Sequence, residues 1–272
     1  MISISVVLFN NSKLEVETFI NEAFKNKKID EIIFIDNSET KSFEYDIFDN
    51  DKISFIKTSS NIGYGKGHNL ALKRILAKND IKYHLISNLD IDFDFKIFDK
   101  LVEHMDANPN FGLISPHICN NDGSSPRLTK LLPTIYDFSR RLLKLDHIFR
   151  SSDREYVLER FANNEVIFAP FISGCFMFLR KQNLIDVGFF DETFFMYGED
   201  IDFSRRFTET GHNAYITSIH VKHHYGKAYT KSIKMLFIQT LNILRYFFKW
   251  GIFTDLNRKH INAKYIKLNE QG

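Results

Sequence analysis

The chain has 272 residues, 44% of them apolar and 26% charged, with 36 Lys+Arg against 34 Asp+Glu. That length fits one large domain or two small ones and can bury a core without disulfides or metal staples, and the composition excludes a disordered or collagen-like chain. A formal charge of +2 gives no argument for a nucleic-acid partner, which would need a concentrated basic face.

Two cysteines, Cys119 and Cys175, make no secreted disulfide framework and carry no CxxC spacing, so both read as small buried residues. The first residues, Met1 to Val7, have no basic segment and no cleavage site, so no signal peptide is expected. Val166 to Leu179 is fourteen uncharged residues with Pro170 and Gly174 inside it, short of the roughly 20 that a membrane span needs. These features point to a cytoplasmic chain.

The first half alternates strand-like and helix-like segments. Ile2–Phe9 is a near-continuous apolar run rich in β-branched residues, as a buried parallel strand would be. A helix is expected over Leu14–Lys25, strands over Glu31–Asp36 and Ile53–Lys57, a second helix over His68–Lys78, and a strand over Tyr83–Ser87. Asn120 to Glu165 is rich in Arg and has no β alternation, so it reads as helices and loops covering one side of the sheet. Strand character returns at 166–179, then a helix near Gly198–Thr210, a strand at Ala214–Ile219 and a long helix from about Lys231. The alternation implies an α/β domain with a mostly parallel sheet. Such sheets bind ligands beyond the carboxyl ends of their strands. Asn10 and Asn11, then Asp36, Asn37 and Ser38, then Asn88 and Asp90 occupy those ends, which suggests a shared polar cleft.

Four clusters could carry chemistry. In Ser87–Phe95 the acids Asp90, Asp92 and Asp94 alternate with apolar residues, so an extended backbone puts three carboxylates on one face. Such a set suits Mg²⁺ or Mn²⁺; a solvated acidic edge strand is the alternative. Asn61–Asn69 holds Gly63, Gly65 and Gly67 between a strand and a helix, where backbone can approach an anion closely. It matches neither the dinucleotide nor the Walker spacing, and a plain glycine-rich turn explains it equally well. In Phe194–Arg206, Asp202 can pair with Arg205 or Arg206 at helical spacing, which leaves Glu199 and Asp200 as adjacent acids, one of which could be a general base. Finally, His223 and His224 at a strand end could add an imidazole to a metal, with Lys227 balancing phosphate charge.

Taken in order, these motifs resemble the inverting glycosyltransferases of family 2, over roughly residues 1–230. The likeness rests on Ser173-Gly174-Cys175-Phe176-Met177-Phe178-Leu179-Arg180, then Val187-Gly188-Phe189-Phe190-Asp191-Glu192, then Phe195-Met196-Tyr197-Gly198-Glu199-Asp200. The Asn61–Asn69 loop and Asn88-Leu89-Asp90 look more like the rhamnosyltransferase branch. The resemblance implies a GT-A fold: a Rossmann-like, mostly parallel central sheet flanked by helices, with a C-terminal helical extension. It implies a glycosyltransferase domain over 1–227, divided into a nucleotide-sugar half at about 1–118 and an acceptor half at about 119–227, followed by a basic amphipathic extension over 228–272. It also implies donor contacts from Asp36, Asn61, Gly65, Asn69 and Asn88, with Asn10, Lys66 and Lys227 as further donor candidates. Asp90 would be the chief metal ligand, with Asp92 compensating for Asn88 in the first position of the DxD motif. His223 or His224, the latter favoured, would complete the shell around Mg²⁺ or Mn²⁺. Asp200 would be the base, with Glu199 beside it.

The expected activity is transfer of a sugar, with rhamnose the branch guess, from a nucleoside-diphosphate donor to a hydroxyl of a glycan or lipid-linked acceptor in bacterial surface polysaccharide synthesis. Two other classes compete: a non-catalytic carbohydrate-binding or scaffold protein of this fold, and a sugar nucleotidyltransferase. The latter would want a glycine-rich basic loop straight after the first strand, where Phe9-Asn10-Asn11-Ser12 stands instead. In the C-terminal helix Lys231, Lys234, Arg245 and Lys249 fall within about 60° of one another, with Asn242 in the stripe, against a mostly apolar remainder. That pattern suits either a membrane interface, on the inner face of the cytoplasmic membrane, or a packed helix with a snorkelling basic edge.

Overall fold

The computed structural model describes residues 1–39, 48, 50–143, 145, 147–224 and 233–271, apart from the side chains of 233 and 234. Chain order is β1 (Ile2–Leu8), α1 (Lys13–Ala23), β2 (Ile29–Asp36), β3 (Ile53–Lys57), α2 (Tyr64–Leu76), β4 (Tyr83–Ser87), β5 (Ile91–Asp92), α3 (Ile97–Ala107), β6 (Phe111–Cys119), α4 (Ile135–Leu142), α5 (Arg150–Tyr156), β7 (Val166–Phe168), β8 (Phe176–Arg180), α6 (Lys181–Val187), α7 (Glu199–Thr210), β9 (His212–His223), α8 (Ile233–Trp250) and α9 (Leu256–Gln271). Among the described residues they build a nine-stranded sheet of order β3-β2-β1-β4-β8-β6-β9-β5, with β7 paired to β9. β3, β2, β1 and β4 run parallel, as do β6 and β9. β8 runs antiparallel between β4 and β6, so its first residue, Phe176, lies beside Ser87 at the end of β4.

Each layer follows from side-chain alternation. In β1, Ile2, Ile4, Val6 and Leu8 face one core with Val16, Phe19 and Ile20 of α1 and Phe98, Leu101 and Met105 of α3. The opposite face packs on Ala71, Leu72 and Ile75 of α2, Leu184 of α6 and Phe203 and Phe207 of α7. Helix α1 begins with a capping box, Ser12 and Glu15 satisfying each other's backbone N–H groups. The expected strands of the first half are all present, as is the helix at 199–210. Helices α3, α6 and α9 and strand β6 are further elements beyond those expected from the sequence pattern.

The 87–95 segment is not one extended strand. After Ser87 the chain turns at Leu89-Asp90, pairs only Ile91-Asp92 with β9, and then winds into α3. The three acids therefore share no face. Asp94 instead accepts the Lys96 N–H at 2.8 Å and prepares the entry to α3.

The C-terminal helices belong to the fold. Ile243, Tyr246 and Phe247 of α8 and Ile261 and Tyr265 of α9 form a third core with Leu132, Phe171, Phe194 and Ile201. The basic stripe is exposed but engaged at its C-terminal half. Arg245 donates to the Thr193 carbonyl, and Lys249 lies 2.7 Å from both Asp191 and Asp202. Lys231, Gly226 and Lys227, and the side chain of Lys234, lie outside the described residues. Among the described residues, no helix is long and apolar enough to cross a membrane.

Asp202 takes Arg206 of the two arginines, at 3.0 Å, because the i,i+4 spacing puts them on one helix face. Arg205 reaches the other way, donating to both oxygens of Asp255 at 2.5 and 2.7 Å beneath the Trp250 ring, 4.0 Å from its centroid. Both partners are almost fully buried. Removing one strands a charge in a low-dielectric core. Arg205→Ala is expected to lose about 3–5 kcal/mol of folding free energy, read as a lower midpoint in urea denaturation.

Candidate active site

The carboxyl ends of β1, β2 and β4, the first turn of α7 and the end of β9 converge on one edge of the sheet. Each brings a polar group for a local reason. Tyr197 and Gly198 both take left-handed backbone, with φ of 67° and 90°. That sharp entry starts α7 at Glu199 and aims its first two acids inward. Asp200 accepts the backbone N–H of Ile201 at 2.9 Å and of Gly174 at 3.2 Å. Gly174 fits because a Cβ there would lie 3.3 Å from both Asp200 and the Tyr64 ring.

Glu199 is buried, and its Oε2 has no hydrogen-bond partner among the described residues. Burial, reinforced by the charge of Asp200, pushes its carboxyl well above the ordinary range. Burial also raises Asp200, but the two backbone N–H groups and the Lys130 ammonium oppose the shift. Both adjacent acids are thus pushed upward, with Asp200 drawn back by its N–H donors and by Lys130. Lys130 is itself pulled down to about 8, by burial first and by Arg141 second.

Across the cleft, Asp90 sits at the turn after β4. His223 ends β9, is buried, and brings Nε2 to 3.0 Å from Asp90 Oδ1. Burial lowers this imidazole, but hydrogen bonds with Asp90 and Cys175 outweigh it and push it up to about 9. His224 lies one residue further, exposed, 3.6 Å from the exposed Asp92. So the two histidines serve two different carboxylates, and His223 is the one that meets Asp90. An open depression of about 410 Å³ beside His223 is lined by Asn120, Asn121 and Asp122.

Tyr64 joins the two halves. Its hydroxyl donates to the Gly174 carbonyl at 2.6 Å. Burial and the surrounding Cys175, Glu199, Asp200 and Asp90 all raise its phenol further. Tyr64 and Lys130 were not singled out from the sequence. Tyr64 lies inside the glycine loop, where its position was the available signal; Lys130 lies in a segment without periodicity and left none.

The other candidates have structural engagements. Asp36 is fully buried, accepting from Ser38 N–H at 2.9 Å and from Lys57 at 2.8 Å, so it shapes the end of β2. Asn10, at φ 56°, donates its N–H to Ser38 Oγ. Asn61 accepts from Gly63 N–H. Gly65 packs against Phe190, where a Cβ would come within 3.0 Å. Asn69 exchanges two hydrogen bonds with the Phe190 backbone, and Lys66 lies 3.6 Å from Glu192. Asn88 donates its backbone N–H to the Cys175 carbonyl at 3.0 Å. These residues hold the loops at the strand ends in place; Asp90, His223, Tyr64, Lys130, Glu199 and Asp200 are the polar groups gathered beside them.

No family model matches the chain. It is 24% identical over 187 residues to the low-salt glycan biosynthesis hexosyltransferase Agl10 of Haloferax volcanii, covering 65% of this chain and 52% of that protein. It is 25% identical over 181 residues to an N-acetylglucosaminyl-diphospho-decaprenol L-rhamnosyltransferase of Mycobacterium tuberculosis, covering 63% of this chain and 59% of that one. The chain thus spans little more than half the length of these curated relatives. Among solved structures, GalNAc-T7 with UDP, GalNAc and Mn²⁺ superposes with a TM-score of 0.64 at 13% identity, over 92% of this chain and 48% of that one. Staphylococcus aureus TarS, residues 1–349, superposes with a TM-score of 0.57 at 14% identity, over 97% and 70%. Sheet order and superposition agree that the chain has the GT-A fold, and its sequence is similar to that of glycosyltransferases.

Proposed function

We propose that the chain is an inverting glycosyltransferase that moves a sugar, with rhamnose our choice, from a nucleoside-diphosphate donor to a hydroxyl of a glycan or lipid-linked saccharide in cell-envelope polysaccharide synthesis. The donor half is about 1–118 and the acceptor half about 119–227. The observation that carries the reading is Asp200: a carboxylate at a helix N-terminus, fixed by two backbone N–H groups, beside Glu199, whose carboxyl is pushed well above the ordinary range, with Tyr64 between it and Asp90, the partner of His223.

Asp200 takes the proton of the acceptor hydroxyl as its oxygen attacks the anomeric carbon. The bond from that carbon to the diphosphate breaks with the electron pair leaving on phosphate. One displacement inverts the configuration and needs no sugar–enzyme intermediate. The Lys130 charge helps keep Asp200 ionised for that step. Asp90 and His223 are the residues that would hold a divalent cation, and an oxygen–nitrogen donor pair suits Mn²⁺ better than Mg²⁺. Bound there, the cation supplies positive charge against the departing diphosphate. The Mn²⁺ and UDP named for GalNAc-T7 support this class of chemistry.

The decaprenol-linked acceptor named for the mycobacterial relative supports a lipid-linked acceptor here. The surface that would meet a membrane is the apolar side of α8 and its connector, where Phe237, Phe248 and Phe253 are 62%, 73% and 81% exposed. The stripe of Arg245 and Lys249 is engaged below it.

Asp200→Asn is expected to abolish transfer, by about a thousandfold or more, while titration of the nucleotide sugar in Mn²⁺ shows unchanged binding; full activity in that variant removes the base assignment. Asp90→Ala is expected to weaken the Mn²⁺-dependent part of nucleotide binding, and an unaltered Mn²⁺ requirement takes Asp90 out of the shell. Lys130→Met withdraws the charge that lowers Asp200. The acid limb of kcat/KM, below which Asp200 is protonated and idle, should therefore move to higher pH. Phe237→Ser combined with Phe248→Ser should reduce flotation with anionic vesicles while the melting temperature stays within a few degrees.

A further inference from the structure

A second cluster of ligating side chains lies outside the site just described. β6 and β9 run parallel with Ile114 opposite Ala214 and Pro116 opposite Ile216. The register then jumps, and His117 pairs with His220, so β9 spends three extra residues across one step of β6. Without that irregularity, Thr217 would face His117. Bulges of this kind re-aim side chains. This one sets two imidazoles side by side, with ring centroids 5.3 Å apart.

Two residues along β6, on the same face by strand alternation, Cys119 Sγ lies 4.0 Å from His220 Nδ1. One ligand atom from each of His117, Cys119 and His220 lies within 4.8 Å of the other two. The set faces away from Asp90: His220 and Lys222 are exposed, whereas Val221 and His223 between and after them are buried.

We propose that His117, Cys119 and His220 form a Zn²⁺ site, independent of the donor-side cation. Two imidazoles and a thiolate are the ligand types zinc takes, and Mg²⁺ and Mn²⁺ disfavour such a set. Tetrahedral zinc with bonds of about 2.0–2.3 Å needs its ligand atoms between 3 and 4 Å apart. The present separations close to that by rotation of side chains that are exposed or half-buried. Three protein ligands leave a fourth position for water. Binding deprotonates the Cys119 thiol and releases that proton to solvent. The ion would tie the last turns of β6 and β9 together, just before Asn120–Asp122 and His223 enter the donor-side depression.

The test uses the full chain with Co²⁺ as a spectroscopic substitute and Zn²⁺ as competitor. One equivalent of Co²⁺ should give a near-ultraviolet thiolate-to-metal band with visible absorption of tetrahedral intensity, both erased by Zn²⁺. Cys119→Ser should lose the near-ultraviolet band, and His220→Gln, at an exposed position, should weaken binding by about tenfold or more. Asp90→Ala should leave the spectrum unchanged. Zn²⁺ should also raise the melting temperature of the unaltered chain and of Asp90→Ala, but not of Cys119→Ser. Absence of the thiolate band, its survival in Cys119→Ser, or its loss in Asp90→Ala would overturn the proposal.

Discussion

Two neighbouring carboxylates in a buried cleft are the constraint around which this molecule is arranged. Placing Glu199 and Asp200 there costs several kcal/mol for each charge retained. The fold reduces that cost in two ways. Burial and the Asp200 charge push the Glu199 carboxyl up, which disfavours its charged form, and Asp200 is surrounded by the α7 N-terminus, the Gly174 N–H and Lys130. The left-handed Tyr197–Gly198 entry is a further demand of the same arrangement. Such an entry persists only where its surroundings over-determine it. Phe194 is buried in the third core, Arg245 binds the Thr193 carbonyl, and Asn242 binds the Met196 carbonyl at 2.7 Å.

The glycine-rich loop acts in the same structure as a packing device. A Cβ at Gly63 would stand 2.3 Å from the Phe195 carbonyl oxygen, and one at Gly67 would stand 2.8 Å from Val7. The glycines let α2 close directly on β1 and on the 190–195 loop. Tyr64 N–H donates to Phe195 and its hydroxyl to Gly174, so one residue connects the loop before α7 to the turn that leads into β8. A phosphate-cradling function and this packing function both ask for glycine, which is why the spacing alone left the choice open.

What could be read from the sequence was whatever depends on local pattern. β1 to β4 follow from apolar runs, and α7 follows from acids in a first turn behind a glycine. The failures are those of partners distant in sequence. Period-two alternation put Asp90, Asp92 and Asp94 on one face, but pairing with β9 captures only Ile91-Asp92, and each acid finds a different partner. Between adjacent histidines, strand alternation decides which is buried beside Asp90, and the register of β9 was invisible until β5 and β6 were set beside it. Lys130 acquires its meaning from Asp200, 70 positions on, and had no local signature.

The charge balance makes the same point about scale. Residues 228–272 hold eight Lys/Arg and two Asp/Glu, so the near-neutral total combines a basic end with an acidic remainder. On a helical wheel those bases look like a face turned outward. In the fold, Lys249 spans Asp191 and Asp202, Trp250 donates to Asp202 at 2.8 Å, and Arg205 reaches over to Asp255. Opposite charges from the two regions meet at the first turns of α7, beside Glu199 and Asp200. The basic end therefore braces the loop that leads into α7, and α8 also exposes Phe237 and Phe248. Helix α8 thus holds the loop that leads into Glu199 and Asp200 through Asn242 and Arg245, while Phe237 and Phe248 of the same helix stand exposed.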